Sequence, residues 1–361
     1  MAPEEILNLI WRGALRRLFF ALDPELAHRL VLTLLAAMPP VHTPADAAAL
    51  AQDVWAMRFA NPLGLAAGLD KNISAVGAWQ SIGFGFAELG TITPLPQPGN
   101  PPPRLWRLPE HRALINRLGF PSLGGRHAAD RLRRLRHQGV SLRLGINIGP
   151  NRASAPERIA DDIAMMAQLL GPMADFIVIN LSSPNTPGLR EWQAPQALRS
   201  LIEGILALPH GHSGTEGPRM LIKIAPDLDD AQIGSICGVA LELGIDGIVA
   251  TNTTVARRAL GVVSDYPGGL SGAPLRELAR GVIRAVYRHT QGKLPIIGVG
   301  GVASAEDAYG HIRAGASLVE LYTGLIYEGP GLPAAIKRGL IGYLQRDGYH
   351  AIAEAVGTGA G

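Results

Sequence analysis

Cysteine is nearly absent from this chain of 361 residues, since Cys237 is the only one. A disulfide framework and a cysteine-ligated metal or iron–sulfur centre within the chain are therefore excluded. Aromatic residues make up only 5% of the chain, so the core must be mainly aliphatic. Lysine is scarce as well: of 33 basic residues, only Lys71, Lys223, Lys293 and Lys337 are lysines. Each of them raises the question of whether a compact ammonium group is needed there.

Long apolar runs are missing too, because no stretch of 18 apolar residues occurs and no single helix is predicted to span a bilayer. The first residues, MAPEEILNLI, begin acidic and are not expected to be a targeting sequence. Net charge is only +3, and the densest basic run, residues 126–136, is interpreted as the solvated face of a helix. We therefore expect no nucleic-acid partner, and a protein that is soluble or attached to a membrane surface.

Two helices are predicted ahead of residue 45. In residues 4–22 an apolar stripe recurs at helical spacing: Leu7, Trp11, Ala14, Leu18 and Leu22. Asp23 and Pro24 then predict the start of a second helix that ends near residue 37. This second helix is apolar nearly all round. Three partners for it stay open: the main domain, a membrane surface, or an apolar substrate that enters a tunnel between the helices.

After residue 45 the chain alternates between strand-like and helical patterns. Strands are predicted at 63–67, 86–90, 142–147, 176–180, 220–224, 247–250, 295–298 and 318–321. Helices are predicted at 154–170, 194–208, 229–243, 275–289 and 304–313. This order predicts an α/β fold, a (β/α)₈ TIM barrel with an N-terminal two-helix extension. We assign residues 1–45 to the extension, 46–345 to the barrel and 346–361 to a disordered tail.

Polar residues and glycines follow the predicted strands, where the active sites of such barrels lie. The segments GVGG (298–301) and YTG (322–324) predict a phosphate site, because glycine lets backbone N–H groups approach an anion closely. Residues 268–272 are predicted as a further glycine-rich loop that closes on the same phosphate. No metal is expected, and a Ser-His-Asp hydrolase is disfavoured because there is no G-x-S-x-G elbow. The lysines, asparagines, serines and threonines suit carboxylate and imide recognition beside a cofactor.

Four stretches, residues 61–72 (NPLGLAAGLDKN), 88–120, 179–190 (INLSSPNTPGLR) and 296–330, carry a resemblance to a known family. Together with ALDPELAHRL at 21–30, they resemble the dihydroorotate dehydrogenases of the quinone-linked, membrane-associated class 2. The resemblance implies an FMN enzyme of pyrimidine biosynthesis. Such an enzyme oxidises (S)-dihydroorotate to orotate and passes the electrons to a membrane quinone.

The same resemblance implies the site residues. FMN is expected at Ala67, Gly68, Leu69, Asp70, Lys71, Thr91, Asn147, Asn180, Lys223 and Thr251, with its phosphate at Gly272, Gly301, Tyr322 and Thr323. Dihydroorotate is expected at Lys71, Asn116, Arg117, Leu118, Gly119, Phe120, Asn180, Asn185, Asn252 and Thr253. Ser183 is implied as the catalytic base. Because a free hydroxyl is a poor base, we expect its proton to leave through Thr186 or water, under a lid formed by residues 184–192.

The resemblance further implies a quinone tunnel lined by His28, Arg107 and Tyr322, between the two N-terminal helices and the flavin edge. For His28, a satisfied histidine on an apolar helix is the alternative. A monomer is expected, attached peripherally to the cytoplasmic face of a bacterial inner membrane.

Three other classes are weighed against this one. A soluble class 1 enzyme resembles the same scaffold but has a cysteine as base, where this chain has Ser183, and lacks the N-terminal helices. A phosphate-binding isomerase or aldolase barrel explains GVGG and YTG but leaves the helices and the NLSSPNTPG segment without a purpose. An RNA-modifying flavin barrel needs a basic face with aromatics, which this composition does not supply.

Overall fold

Eight parallel strands form a closed barrel in the computed structural model, which describes residues 11–39, 45–186, 188–207 and 218–361. The strands follow one another around the barrel in chain order: β1 (Leu63–Leu65), β2 (Phe86–Ile92), β3 (Arg143–Ile148), β4 (Phe176–Asn180), β5 (Arg219–Ile224), β6 (Gly247–Ala250), β7 (Ile296–Val299) and β8 (Leu318–Leu321). Closure comes from β8 pairing with β1 at Leu321 and Leu65. Each strand overlaps a predicted strand, so the predicted (β/α)₈ barrel is confirmed.

The helices lie between and around these strands. They are α1 (Arg16–Ala21), α2 (Pro24–Ala37), α3 (Val76–Ile82), α4 (Gly125–His137), α5 (Ile159–Leu170), α6 (Pro195–Leu206), α7 (Asp230–Glu242), α8 (Arg276–Thr290), α9 (Ala305–Arg313), α10 (Thr323–Glu328) and α11 (Leu332–Asp347). Short 3₁₀ turns connect several of them. The prediction for residues 194–208 ends at a residue outside the described ranges.

The N-terminal extension is a helical pair. Residues 1–10 lie outside the described ranges, and a π-helical turn (Trp11–Leu15) leads into α1. Asp23 caps α2, because its Oδ1 accepts hydrogen bonds from the backbone N–H groups of Glu25 (3.0 Å) and Leu26 (2.9 Å). Within the described ranges, none of the helices has both the length and the apolar character needed to cross a bilayer.

The interior of the barrel changes character along its axis. At one level Phe86, Phe176, Leu221 and Leu318 point inward and are completely buried. Two residues further along three of these strands, on the same face, are Glu88, Lys223 and Glu320. The barrel therefore has an apolar lower half and a charged upper half, towards the carboxyl ends of the strands.

Close packing of the phenylalanine rings depends on glycine. A Cβ atom at Gly145 would lie 2.0 Å from the ring of Phe176, and one at Gly64 would lie 2.2 Å from the ring of Phe86. A hairpin (Gln52–Val54 and Met57–Phe59) covers the same end of the barrel. Its Phe59 ring meets Phe86 edge-on, with ring centroids 5.7 Å apart. These contacts close the end of the barrel opposite the carboxyl ends of the strands.

A second sheet, which the sequence did not predict, lies over the other end of the barrel. It consists of three antiparallel strands, Leu105–Leu108, Ala113–Asn116 and Gly269–Gly272, with the second in the middle. The prediction of a glycine-rich loop at 268–272 is therefore wrong, since four of these residues form a strand. The alternating segments LWRL and ALIN, joined by a Pro-containing turn, were a hairpin signal that could have been used.

The structure also corrects the prediction of a disordered tail at 346–361. Helix α11 extends to Asp347, and a 3₁₀ turn follows at Ile352–Ala355. Ile352 is fully buried, and the backbone N–H of Gly357 donates to the carbonyl of Ile312 (3.1 Å). The few apolar residues of this segment are thus enough to dock it against α9.

Candidate active site

A polar cavity opens at the carboxyl ends of the strands. It receives residues from seven of the eight barrel strands or the loops that follow them, and from the three-stranded sheet. The space inside it, which is open to solvent, amounts to about 1050 Å³. This position is the usual active-site position of a TIM barrel.

Most of the predicted cofactor and substrate residues line this polar cavity. Those that do are Ala67, Gly68, Lys71, Thr91, Asn116, Leu118, Gly119, Phe120, Asn180, Ser183, Asn185, Lys223, Thr251, Asn252, Thr253, Gly272, Gly301, Tyr322 and Thr323. Four predicted residues do not line it: Leu69, Asp70, Asn147 and Arg117.

Three of these four residues lie behind or beside the cavity, and Leu69 lines a second cavity described below. Asp70 is fully buried and accepts hydrogen bonds from the backbone N–H of Ser74 (2.7 Å) and of Ala75 (2.9 Å). It therefore shapes the loop that carries Lys71 rather than the cavity surface. Asn147 lies behind Thr91, and the Arg117 side chain donates to a backbone carbonyl at Pro101 (3.4 Å).

A buried amide network fixes one wall of the cavity. The Thr91 hydroxyl donates to Asn147 Oδ1 (2.5 Å), and Asn180 Nδ2 donates to both Thr91 Oγ1 and Asn147 Oδ1 (3.1 Å each). Asn252 Nδ2 donates to Ser182 Oγ (2.9 Å). The sequence analysis predicted Asn252 as a site residue but gave Ser182 no role. Each amide is held by several partners, so the donors and acceptors that face the cavity are fixed in advance.

Charged side chains meet on the cavity floor. Lys223 Nζ lies 2.9 Å from Glu88 Oε2 and 3.8 Å from Glu320 Oε2. Burial by itself would lower the pKa of Lys223, but the two carboxyl groups outweigh it and the pKa is raised. Sequence reasoning found Lys223 and missed both glutamates. Each glutamate stands in an otherwise apolar barrel strand, and that departure from the strand pattern was the available signal.

Lys71 is the second cation of the cavity. Its ammonium donates to the carbonyl of Gly68, and burial lowers its pKa to about 8. The nearby carboxylate of Glu25 partly offsets this shift, whereas Arg104 adds to it. Glu25 itself, on α2, makes a bidentate ion pair with Arg104 (2.5 and 2.9 Å). The N-terminal helices are therefore tied to the segment that covers the cavity.

Ser183 is buried in the loop after β4. Its Oγ accepts a hydrogen bond from the backbone N–H of Asn185 (3.2 Å), and Asn185 Nδ2 donates to Asn116 Oδ1 (3.1 Å). Among the described residues, no hydrogen bond joins Ser183 to Thr186. The predicted proton exit through Thr186 or water stays a prediction.

Arg190 connects the loop that contains Ser183 with the neighbouring cavity wall at Thr253. Its guanidinium donates to the carbonyl of Ser182 (3.0 Å) and to that of Thr253 (2.9 Å). Asp227 holds the same guanidinium in an ion pair (2.8 Å). The sequence analysis included Arg190 only as part of the INLSSPNTPGLR segment and predicted no role for it.

The residues predicted to hold a phosphate lie on the opposite side of the cavity. Gly301 has a φ of +73°, and a Cβ atom there would lie 2.5 Å from Arg276 Cα. A Cβ atom at Gly272 would lie 2.4 Å from the Arg112 carbonyl oxygen. The hydroxyls of Ser271 and Thr323 are 2.8 Å apart. These glycines and hydroxyls leave room and polar groups for a compact anion.

A second, apolar cavity adjoins the first. Half of its lining residues come from α1, α2 and α10, and the lining is almost entirely apolar. The space inside it, which is open to solvent, amounts to about 1210 Å³. Three residues line both cavities, namely Leu105, Leu114 and Tyr322. The predicted quinone residues His28, Arg107 and Tyr322 all line the apolar cavity. The N-terminal helices thus pack on the barrel and enclose a cavity at the same time.

His28 and Arg107 also have structural partners. Burial lowers the pKa of His28 to about 4, so the ring is neutral at pH 7 and its Nε2–H donates to the Leu69 carbonyl (2.6 Å). The Arg107 guanidinium donates to the carbonyls of Leu22 (2.8 Å) and Phe19 (3.2 Å), at the carboxyl end of α1. A cation at this end of a helix is favourable.

The fold and the site define a TIM-barrel enzyme with two adjoining binding cavities, one polar and one apolar. A family model described as dihydroorotate dehydrogenase matches residues 49–344. The chain therefore belongs to the dihydroorotate dehydrogenase family, a family of oxidoreductases.

Curated relatives carry a more specific name. A protein of Parvibaculum lavamentivorans named dihydroorotate dehydrogenase (quinone) is 49% identical, over 95% of this chain and 97% of its own length. One of Cereibacter sphaeroides with the same name is 50% identical, over 98% of both chains. Among solved structures, DHODH from Eimeria tenella in complex with ferulenol has a TM-score of 0.87 at 39% identity, covering 93% of this chain and 95% of that one.

Proposed function

We propose that this protein oxidises (S)-dihydroorotate to orotate in pyrimidine biosynthesis, with FMN as cofactor and a membrane quinone as electron acceptor. One observation carries the proposal: a polar cavity and an apolar cavity adjoin and share Leu105, Leu114 and Tyr322. A small polar acid such as dihydroorotate needs a polar binding cavity, and a hydrophobic electron acceptor such as a quinone needs an apolar one. The printed names of the relatives support this pairing.

The residues of the polar cavity fit FMN. The cradle at Gly272 and Gly301 has space that a side chain would fill, and Ser271 and Thr323 supply hydroxyls for a phosphate. Lys223 offers a buried cation on the floor of the cavity. Bound FMN would supply the acceptor for the hydride that leaves C6 of dihydroorotate. The ammonium group of Lys223 would stabilise negative charge on a cofactor bound in this cavity.

Dihydroorotate binds on the side of the cavity that carries Lys71 and the asparagines. The ammonium of Lys71 attracts the substrate carboxylate. Asn116, Asn185 and Asn252 offer both donors and acceptors, as the N–H and C=O edges of the ring require. Their mutual hydrogen bonds hold these groups in place before the substrate arrives.

Ser183 takes the proton from C5 while its own hydroxyl proton passes on through Thr186 or a bound water molecule, so that the serine stays neutral. The Asn185 backbone N–H donates to its Oγ, so one lone pair is occupied and the orientation of the hydroxyl is restricted. Since water would compete for the same proton, the lid of residues 184–192 must stay closed during the step. Arg190 keeps this segment in contact with the cavity wall at Thr253.

The quinone enters through the apolar cavity. Helices α1 and α2 also expose apolar side chains that do not line this cavity, with Leu18 61% and Leu30 43% exposed. An exposed apolar face next to an apolar cavity supports peripheral attachment to a lipid surface, which delivers the quinone to the cavity. We place the protein at the cytoplasmic face of a bacterial inner membrane, as a monomer.

The first half of the reaction is tested by anaerobic mixing with dihydroorotate while flavin absorbance is followed. The wild-type protein is expected to bleach rapidly, and Ser183→Ala is expected to bleach at least 100-fold more slowly, within the usual range for loss of a positioned base. Ser235→Ala, an exposed serine of α7, is the matched control and should bleach like the wild type. A colourless protein that FMN cannot reconstitute would refute the proposal, and normal bleaching by Ser183→Ala would refute the base.

The second half is tested by partly filling the apolar cavity. Val31 lines only this cavity, so Val31→Phe should lower the rate with quinone while the rate with a soluble dye stays unchanged. Val263→Phe, at a residue that is 82% exposed, is the control. Equal losses with quinone and dye would count against a quinone site between these helices.

A further inference from the structure

The three charged side chains on the cavity floor carry an excess of acid. Glu88, Lys223 and Glu320, which we name the floor triad, come from β2, β5 and β8, and their side chains are 0%, 6% and 0% exposed. Lys223 is the only cation that pairs with either glutamate among the described residues. With both carboxyl groups ionised, the triad would hold a net negative charge out of reach of water. Such a charge is costly in a barrel interior.

The two glutamates differ in their hydrogen bonds. Each oxygen of Glu88 accepts a hydrogen bond: Oε1 from Asn147 Nδ2, and Oε2 from Lys223 Nζ (2.9 Å). Neither oxygen of Glu320 accepts a hydrogen bond from any donor in the described parts of the chain. Lys223 Nζ lies 3.8 Å from Glu320, beyond hydrogen-bond range. The surroundings therefore stabilise an anion at Glu88 and not at Glu320.

Glu320 also faces the cofactor side of the barrel, since it lines the polar cavity together with Lys223. The strands that flank β8 place Val299 and Gly64 beside it, and neither can titrate. The ionisable groups that face Glu320 are therefore Glu88 from β2 and Lys223 from β5. Its protonation state depends on these two groups and on what the cavity holds.

We propose that Glu320 keeps a proton in the working enzyme and uses it to donate a hydrogen bond to the ionised Glu88. The floor triad is then neutral, and no second anion weakens the effect of the Lys223 charge on the cofactor. The inference rests on the proposed function in so far as FMN is the group above the triad. It makes Glu320 a positioning residue, since it acts on the cofactor through the charge balance of Lys223 and Glu88.

The direction of its pKa agrees with this geometry. Burial raises the pKa of Glu320 well above the usual carboxyl range, and the charge of Glu88 raises it further. Lys223 opposes the shift without cancelling it. A proton that left Glu320 would place a second anion beside Lys223. That anion would make negative charge on the reduced cofactor less favourable and lower its reduction potential.

The decisive variant is Glu320→Gln, which keeps the size of the side chain and the neutral state. In the holoenzyme at neutral pH, the reduction potential of the flavin should not shift. Infrared difference spectra between wild type and variant should contain the carbonyl band of a protonated carboxylic acid, present only in the wild type. Glu242→Gln, an exposed glutamate paired with Arg199, is the matched control and should change neither readout. A clear rise in potential in Glu320→Gln, or the absence of the acid band from wild type, would overturn the inference.

A stability measurement covers the case in which flavin binding itself fails. Below the pKa that Glu320 has in the unfolded chain, its carboxyl group is protonated in both states and makes no pH-dependent contribution to stability. Above that pKa, the unfolded state releases the proton and the folded state keeps it, so the folded state binds one proton more. The wild type should therefore lose stability relative to Glu320→Gln as the pH rises from the ordinary glutamate pKa, about 4.3, towards the raised pKa of the folded state. This comparison can be made with or without the cofactor. Parallel pH profiles for the two proteins would contradict a bound proton on Glu320, whether or not FMN is the cofactor.

Discussion

Replacing Arg190 by glutamine is expected to slow the oxidation of dihydroorotate without affecting the transfer of electrons to quinone. Arg190 holds the carbonyls of Ser182 and Thr253 at 3.0 and 2.9 Å and is itself held by Asp227 at 2.8 Å. It is thus the link between the segment that carries the base and the opposite wall of the polar cavity. It does not line the apolar cavity.

The size of the effect follows from the two carbonyl bonds. A hydrogen bond to a charged donor contributes about 1.5–3 kcal/mol, and the lower value applies because the Arg190 side chain is 24% exposed. Two such bonds give about 3 kcal/mol in favour of the closed arrangement. If the reaction requires that arrangement, kcat/KM for dihydroorotate falls on the order of 100-fold.

The assay separates the two half-reactions. Flavin reduction by dihydroorotate is followed anaerobically over a range of substrate concentrations, and reoxidation by quinone is followed from the reduced protein. Only the first should slow in Arg190→Gln, and the loop should become more sensitive to cleavage after Trp192. Arg199→Gln breaks an ion pair with the exposed Glu242 and should leave both rates unchanged. If Arg190→Gln reduced its flavin at the wild-type rate, or if both half-reactions slowed equally, the role assigned to Arg190 would be refuted.

Three further predictions concern other parts of the two cavities. Because the Lys71 ammonium is charged below a pKa of about 8 and neutral above it, kcat/KM for anionic dihydroorotate should fall as pH rises past about 8 in steady-state assays, whereas Lys71→Arg should move this fall to higher pH. Gly301→Ala, which combines a φ of +73° with a Cβ 2.5 Å from Arg276 Cα, should be purified with much less flavin per chain than wild type, measured by absorbance. Arg107→Gln frees the carbonyls at the end of α1 and should raise the KM for quinone and lower the unfolding free energy by about 1–2 kcal/mol, with flavin reduction unchanged.

The barrel could be predicted from the sequence because its pattern is local. Each strand is a short apolar run between turn residues, and each helix has its own period, so neighbouring residues are enough to find them. The three-stranded sheet could not be found in this way. Its strand at Gly269–Gly272 pairs with residues more than 150 positions earlier, and its glycine-rich composition favours a loop. Only the tertiary contact with Ala113–Asn116 makes it a strand.

The site residues divide along a similar line. Those that lie at strand ends and face the cavity, such as Asn180 and Lys223, could be predicted because the fold fixes where strand ends point. Asp70 and Asn147 also belong to predicted strand ends, and only Arg117 was suggested by the resemblance alone. The side chains of all three nevertheless lie behind or beside the cavity. Position in a motif therefore did not distinguish a residue that lines the site from one that supports it.

The two glutamates of the floor triad show that charged residues in otherwise apolar barrel strands can indicate a buried charge cluster. A charged residue in a buried parallel strand must be neutralised, paired or protonated, because burial removes the charge from bulk water. Glu88 and Glu320 break the apolar pattern of β2 and β8, and Lys223 breaks that of β5. Three breaks at the same level of one barrel imply a cluster, and two acids against one base imply a bound proton. The number of charges in the strands thus predicts a proton site, although the sequence does not show which glutamate lacks hydrogen-bond donors.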